Sequence, residues 1–185
     1  LKPTAGSSLV VFGCGTVGMS AIMAAHLCPC KNIIAVGGNE ESLVLAKELG
    51  ATHTINRKKC DCIVSEIKKI TEGGADYAID TSGVPDFVKK ALACVKFLGT
   101  AVVLGVTGEL TIQVQEELMG EGKSLIGIVE GDSNPKLFIP QLISYYKQGK
   151  FPFDKLIRVF EFDEINEAFD ASHSGKAIKA LLKMR

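Results

Sequence analysis

The chain has 185 residues and a mass of 19.7 kDa, with 46% hydrophobic and 23% charged residues, enough for one substantial core and short for two. Lys+Arg and Asp+Glu both number 21, so no net field would concentrate a nucleic acid or an anionic lipid surface on it. No apolar run approaches the roughly 18 residues that cross a bilayer, and the opening Leu1-Lys2-Pro3-Thr4 resembles neither a signal peptide nor a natural start, so the chain is expected to be soluble and to begin mid-protein.

From residue 8 to about 131, short β-branched runs alternate with longer helical stretches, the signature of a parallel α/β sheet. Ser8 to Phe12 is an apolar run ended by glycine, and Val17 to Leu27 after it is apolar almost all round, so both are expected at the buried centre. Asn32 to Val36 predicts a strand and Glu40 to Leu49 a helix closed by Gly50, where a left-handed turn costs glycine nothing. Thr52 to Ile55 predicts a short strand. Cys60 to Thr71 places Ile63, Ile67 and Ile70 at helical spacing and ends at Gly73-Gly74. Asp76 to Asp80 predicts a fourth strand, Pro85 to Cys94 a helix, Thr100 to Val106 a fifth strand and Lys123 to Val129 a sixth. Pro135 to Gln148 reads as helical.

The remainder has another texture. Five of the nine phenylalanines, Phe151, Phe153, Phe160, Phe162 and Phe169, fall in one short segment, more apolar surface than a tail needs for docking on one sheet. The expected division is therefore 1–150 for the α/β unit and 151–185 for a C-terminal segment that packs against something outside this chain.

Gly13-Cys14-Gly15-Thr16-Val17-Gly18 follows a predicted strand and opens a predicted helix, the context that gives this spacing meaning. Gly13 permits a tight turn, Gly15 lets backbone approach a pyrophosphate, and Gly18 lets the helix lie close on the strand. Unpaired N–H groups and the dipole at the helix N-terminus favour that negative charge. With two blocks of three strands around it, the loop predicts a dinucleotide-binding, doubly wound Rossmann sheet of order 3-2-1-4-5-6. One checkpoint departs from the pattern. The second strand ends Ala35-Val36-Gly37-Gly38-Asn39, with glycine where an acidic residue normally holds the adenosine ribose. Its loss would admit a 2′-phosphate, yet no Arg or Lys comes directly after it and Glu40 and Glu41 would repel one; NAD is preferred and NADP stays open.

Other candidates are blander. His26, His53 and His173 share no spacing and read as helix or loop residues rather than catalytic bases. Asp80 closes a strand at the favoured sheet edge, where a cofactor contact and a capping role beside Ser82 and Gly83 are both open. Six cysteines, Cys14, Cys28, Cys30, Cys60, Cys62 and Cys94, in a domain of this size fit a reducing cytoplasm better than a disulfide framework. Cys28-Pro29-Cys30 and Cys60-Asp61-Cys62 are one residue too close for the usual zinc knuckle, so no metal site and no catalytic residue is expected here.

Particular residues carry a family resemblance. Gly13 to Gly18, Ala46-Lys47-Glu48-Leu49-Gly50-Ala51-Thr52, Gly73-Gly74-Ala75-Asp76-Tyr77-Ala78, Leu104-Gly105-Val106 and Gly175-Lys176-Ala177-Ile178-Lys179 occur in the order and spacing of the zinc-dependent medium-chain alcohol dehydrogenases, which the chain resembles over nearly its whole length. Asp80 to Pro85 and the stretch from Phe151 to Asn166 are most similar to the aryl-alcohol (benzyl alcohol) dehydrogenase branch.

The resemblance implies that Gly13, Gly15, Thr16, Val17 and Gly18 lie along pyrophosphate and nicotinamide, and Gly37 and Gly38 beside the adenosine ribose. Thr81, Ser82 and Gly83 would flank the path from adenine to ribose, while Leu104, Gly105, Val106, Ile128 and Val129 would cover the nicotinamide. Lys179 falls where the family uses a cation on the pyrophosphate, with a solvated surface lysine as the alternative. The parent would transfer hydride between a primary alcohol, aryl alcohols included, and NAD. Its zinc and proton relay would sit on a missing N-terminal catalytic domain, to which the C-terminal tail would return. The resemblance also implies homo-oligomers through the apolar edge strand 123–129. Rival readings are a nucleotide-sensing regulatory module without chemistry and a methyltransferase with a similar glycine loop.

Overall fold

Ser8–Phe12 forms β1, and all five residues are buried, as a strand covered on both faces must be. In this computed structural model residues 1–184 are described; Arg185, last of the C-terminal segment, lies outside them. β2 (Asn32–Gly37), β3 (His53–Asn56), β4 (Ala75–Asp80), β5 (Val95–Val103) and β6 (Ser124–Gly127) join β1 in one sheet of order β3-β2-β1-β4-β5-β6. Every pairing is parallel, so each connection must cross a face; α-helices make the first four crossings and the short helical turns Val114–Leu118 and Met119–Glu121 lie in the fifth, between β5 and β6. The α-helices are α1 (Thr16–Leu27), α2 (Glu40–Glu48), α3 (Ile63–Ile70), α4 (Pro85–Cys94) and, after β6, α5 (Pro135–Lys147). The predicted doubly wound Rossmann sheet is the sheet observed.

Alternation along β1 divides the core. Leu9 and Val11 pack with Met19, Ile22 and Met23 of α1 and Leu43 and Ala46 of α2, while Val10 and Phe12 pack with Ile63 and Ile67 of α3 and Ala91 and Leu92 of α4. α1 is nearly uniformly apolar, and Gly18, Met19, Ile22, Met23 and Ala25 are buried.

Three elements differ by more than one residue from the sequence reading. β5 starts at Val95, not Thr100: Val95 pairs with Ala75, the register shifts, and Thr100 stands opposite Tyr77. The intervening residues loop out with Leu98 at φ +61°, while Gly99 tucks in where a Cβ would be 2.8 Å from the Val95 Cβ. β5 stops at Val103 because the next two amides, Leu104 and Gly105, turn onto the Asp80 carbonyl oxygen at 2.9 and 3.2 Å. β6 ends at Gly127 rather than Val129, and α3 begins at Ile63 rather than Cys60.

The tail holds structure that periodicity did not reveal. β7 (Ile157–Glu161) and β8 (Lys179–Lys183) form a separate parallel pair bridged by α6 (Ile165–His173). Phe160, Ala168, Ala171 and Ala177 make its small core, whereas Phe151 and Leu156 belong to the large one. Among the described residues no helix is long and apolar enough to cross a membrane.

Candidate functional site

The loops at the C-terminal ends of β1, β2, β4 and β5 converge, as an open α/β sheet dictates at its switch point. Between β1 and α1 the three loop glycines answer to different constraints. Gly13 has φ +101°, which a side chain resists, and its amide donates to Val36 O at 2.9 Å. A Cβ on Gly18 would lie 1.9 Å from the Gly13 carbonyl oxygen. Gly15 is unlike both. Its φ of −86° and ψ of −171° suit any residue, and a Cβ there would meet nothing within 4 Å. The first turn of α1 has neither a side-chain cap nor an acidic residue, so its amides face the space that Gly15 leaves open. Thr16 and Val17 supply that turn, with Val17 exposed.

β4 supplies the second wall. The Thr81 hydroxyl donates to Phe12 O at 2.9 Å and lies 3.2 Å from Gly13 O, tying the two loops together. The Asp80 carboxylate is fully buried and accepts from the Ser82 amide (3.2 Å), the Ser82 hydroxyl (2.6 Å) and the Gly83 amide (3.1 Å). Of its two open roles, the capping one is the one built. Gly83 and Gly105 press backbone on backbone, since a Cβ on Gly105 would stand 2.2 Å from the Gly83 nitrogen. Leu104 and Ile128 pack on the large core, whereas Val106 and Val129 are exposed. The predicted nicotinamide wall is thus half embedded and half open in this chain.

The ends of β1 and β2 border a cleft of about 430 Å³ that brings Gly13, Gly37, Gly38 and Ser82 together. Three of its features escaped the sequence reading. Cys14 turns its thiol to the space beside Gly37, where a Cβ would be 2.9 Å from Sγ, and burial pushes that thiol up to about 11. Arg57, one residue beyond β3, lines the cleft with Lys58, and the end of α6 with the residues after it, Ser172 to Gly175, closes it. Arg57 was legible in principle: β3 pairs with β2 and Asn56 stands opposite Gly37, so the next residue must emerge beside it. The expected repulsion from Glu40 is also offset, because its carboxylate is bound by Lys59 Nζ and Asn56 Nδ2, both at 2.6 Å, and held below the usual range by them.

Lys179 opens β8 and is exposed. Its neighbour Ile178 accepts the Thr16 hydroxyl at 3.0 Å, which sets the start of β8 against the first turn of α1. Among the described residues no group of three or more His, Cys, Asp or Glu side chains could hold a metal ion.

A six-stranded parallel sheet in this order, with a glycine turn leaving its central strand for a buried helix, defines a Rossmann-type domain. Residues 16–144 match the zinc-binding dehydrogenase family, and the chain belongs to that family. It is 37% identical over 179 residues to geraniol dehydrogenase of Castellaniella defragrans, covering 96% of this chain and 48% of that protein. It superposes with a TM-score of 0.96 on benzyl alcohol dehydrogenase of Acinetobacter calcoaceticus, at 43% identity, covering all of this chain (100%) and 51% of the other. For an alcohol dehydrogenase zinc-binding domain protein of Burkholderia ambifaria the figures are 0.94, 42%, 98% and 50%. The chain spans about half the length of the relatives it matches.

Proposed function

We propose that this chain is the coenzyme-holding part of an alcohol dehydrogenase and that its glycine loop receives the pyrophosphate of a nicotinamide dinucleotide. Gly15 carries the reading. Its backbone is ordinary and nothing crowds it, so folding does not require glycine there, whereas an anion close against the α1 amides does. In this proposal Gly13, Gly15, Thr16, Val17 and Gly18 line the diphosphate, with Gly37 and Gly38 beside the adenosine ribose. Thr81, Ser82 and Gly83 hold the coenzyme along the β4 side. Leu104, Gly105, Val106, Ile128 and Val129 offer the nicotinamide an apolar surface that the parent's other portion completes, and Lys179 reaches over the α1 first turn to the phosphates.

A nicotinamide held by these residues would supply hydride-transfer chemistry toward an alcohol carbon. The work of this chain is orientation: it fixes the diphosphate at one end and presents an apolar wall at the other, so that one ring face meets the substrate. Among the described residues no cluster of His, Cys, Asp or Glu builds a zinc site, and zinc, alcohol or aldehyde, and proton transfer belong in this proposal to a separate catalytic portion of the parent. Residues 1–150 are the coenzyme unit, and the segment from 151 returns to that portion, which covers its exposed aromatics. A primary, aryl-type alcohol is the proposed substrate class, by similarity to the Acinetobacter protein of that name. We also propose a cytoplasmic setting, in keeping with six free thiols, and self-association through the β6 edge.

The test is calorimetric titration of the chain with NADH, NADPH and S-adenosylmethionine, together with a Gly15→Val variant. Binding of a dinucleotide alone, lost in the variant without a change in melting temperature, is the expected result. A methyl donor that binds, or a variant that keeps full affinity, would overturn the proposal. The chain by itself is expected to oxidise no alcohol.

A further inference from the structure

Arg57 borders the cleft with no carboxylate partner among the described residues. The Arg57 amide donates to Gly37 O at 2.8 Å, which anchors its backbone at the end of β2. Its guanidinium runs along Gly38, where a Cβ would be 2.8 Å from Nε, and lies 5.7 Å from the Phe87 ring centroid. Among the described residues it forms an ion pair with no carboxylate. A planar fork of donors, steered by backbone on one side and an aromatic ring on the other, suits an oxyanion with several oxygens.

The surroundings point the same way. Gly37 leaves its side-chain space to Cys14, since a Cβ there would meet Cys14 Sγ at 2.9 Å and Leu43 Cδ2 at 3.2 Å, and the Arg57 guanidinium lies along the open side of Gly38. Neither position carries a carboxylate that would accept from the ribose hydroxyls and repel a phosphate. Glu40 is engaged by Lys59 and Asn56, and Glu41 lines a separate depression with Lys155 and Lys176. Lys58 adds a second positive charge to the cleft.

We propose that this corner is a 2′-phosphate site and that Arg57 makes the chain select NADP(H) over NAD(H). The proposal rests on the dinucleotide reading of the glycine loop, and it reverses the preference for NAD drawn from the sequence, which saw no basic residue directly after β2. A guanidinium on a phosphate dianion gains most where its other hydrogen-bond partners are few.

The experiment titrates the chain with NADPH, NADH, adenosine 2′,5′-bisphosphate and adenosine 5′-monophosphate, in wild type, Arg57→Gln and Arg57→Lys, with thermal unfolding as the folding control. Wild type is expected to bind NADPH about tenfold or more tighter than NADH, and the bisphosphate tighter than the monophosphate by a similar factor. R57Q should lose roughly tenfold on the two 2′-phosphorylated ligands and keep the other two within about twofold, with R57K between. Equal or tighter NADH binding by wild type overturns the proposal while leaving the dinucleotide reading in place; so does an R57Q that weakens all four ligands alike. Failure of all four to bind overturns both. The wild-type comparison stands on its own if R57Q does not fold.

Discussion

The two sheets of this chain are built on opposite terms. In the six-stranded sheet β1 is buried along its whole length and its neighbours nearly so, with helices sealing both faces. In the two-stranded sheet only Phe160 of β7 is buried and β8 exposes every second residue, and Val159 and Leu181 of the strands, with Phe162 and Phe169 beside them, are exposed. A two-stranded pair is marginal unless something packs on it. The first sheet completes its own core, and the second presents half of one; the glycine loop lies where the two meet, through the bond from Thr16 to Ile178.

The largest effect should come from the sealed region. Phe12 is fully buried and stacks at 5.7 Å on Phe87, so Phe12→Ala should lower unfolding free energy by about 3–5 kcal/mol, whereas Phe169→Ala, on an exposed ring, should change it by about 0.5 kcal/mol or less. Chemical denaturation of both variants checks the contrast, and equal losses would dissolve it. Next, Gly18→Ala should cost about 1–3 kcal/mol, because its methyl would drive into the Gly13 carbonyl. The same change at Gly15 should leave the melting temperature where it is.

A smaller, pH-dependent term sits at the opposite end of the central strands, where β1 and β4 begin. Burial alone would raise the Asp76 carboxyl, but Lys96 at 2.6 Å and the Ser8 amide at 2.8 Å outweigh it and hold it below the usual range. The unfolded chain therefore binds the proton more readily, so this stability is present above the ordinary carboxylate range and is lost as pH falls through the lowered folded value. Asp76→Asn should cost about 1 kcal/mol at neutral pH and nothing once wild-type Asp76 is protonated. Denaturation curves across that window settle it. The smallest change is chemical. Cys62 is exposed and its thiol is lowered by the hydrogen bond from Ser65, while burial pushes Cys14 up to about 11 and Cys94 up to about 12. Alkylation followed by peptide mapping should label Cys62 first and Cys94 last.

Much of this was legible in local pattern. The glycine spacing after an apolar strand, the five strand–helix alternations and the cap at Gly50 each depend on neighbours within a turn or two, and the parallel order follows from them. The misjudged boundaries of β5 have distant causes. It begins early because Val95 finds Ala75 and ends early because two amides turn to Asp80. Asp80 itself could have faced a ligand or its own loop, and its three donors from Ser82 and Gly83 decide for the loop.

Period and turn chemistry were enough to specify the sheet, its helices and the glycine cradle, because backbone conformation and apolar spacing act over a few residues. The choice of what surrounds the end of β2 was not, since Cys14, Gly37 and Arg57 come from three separate segments. Charge and volume act through space, and only the pairing of β3 beside β2 brings that guanidinium to the place where a carboxylate was sought.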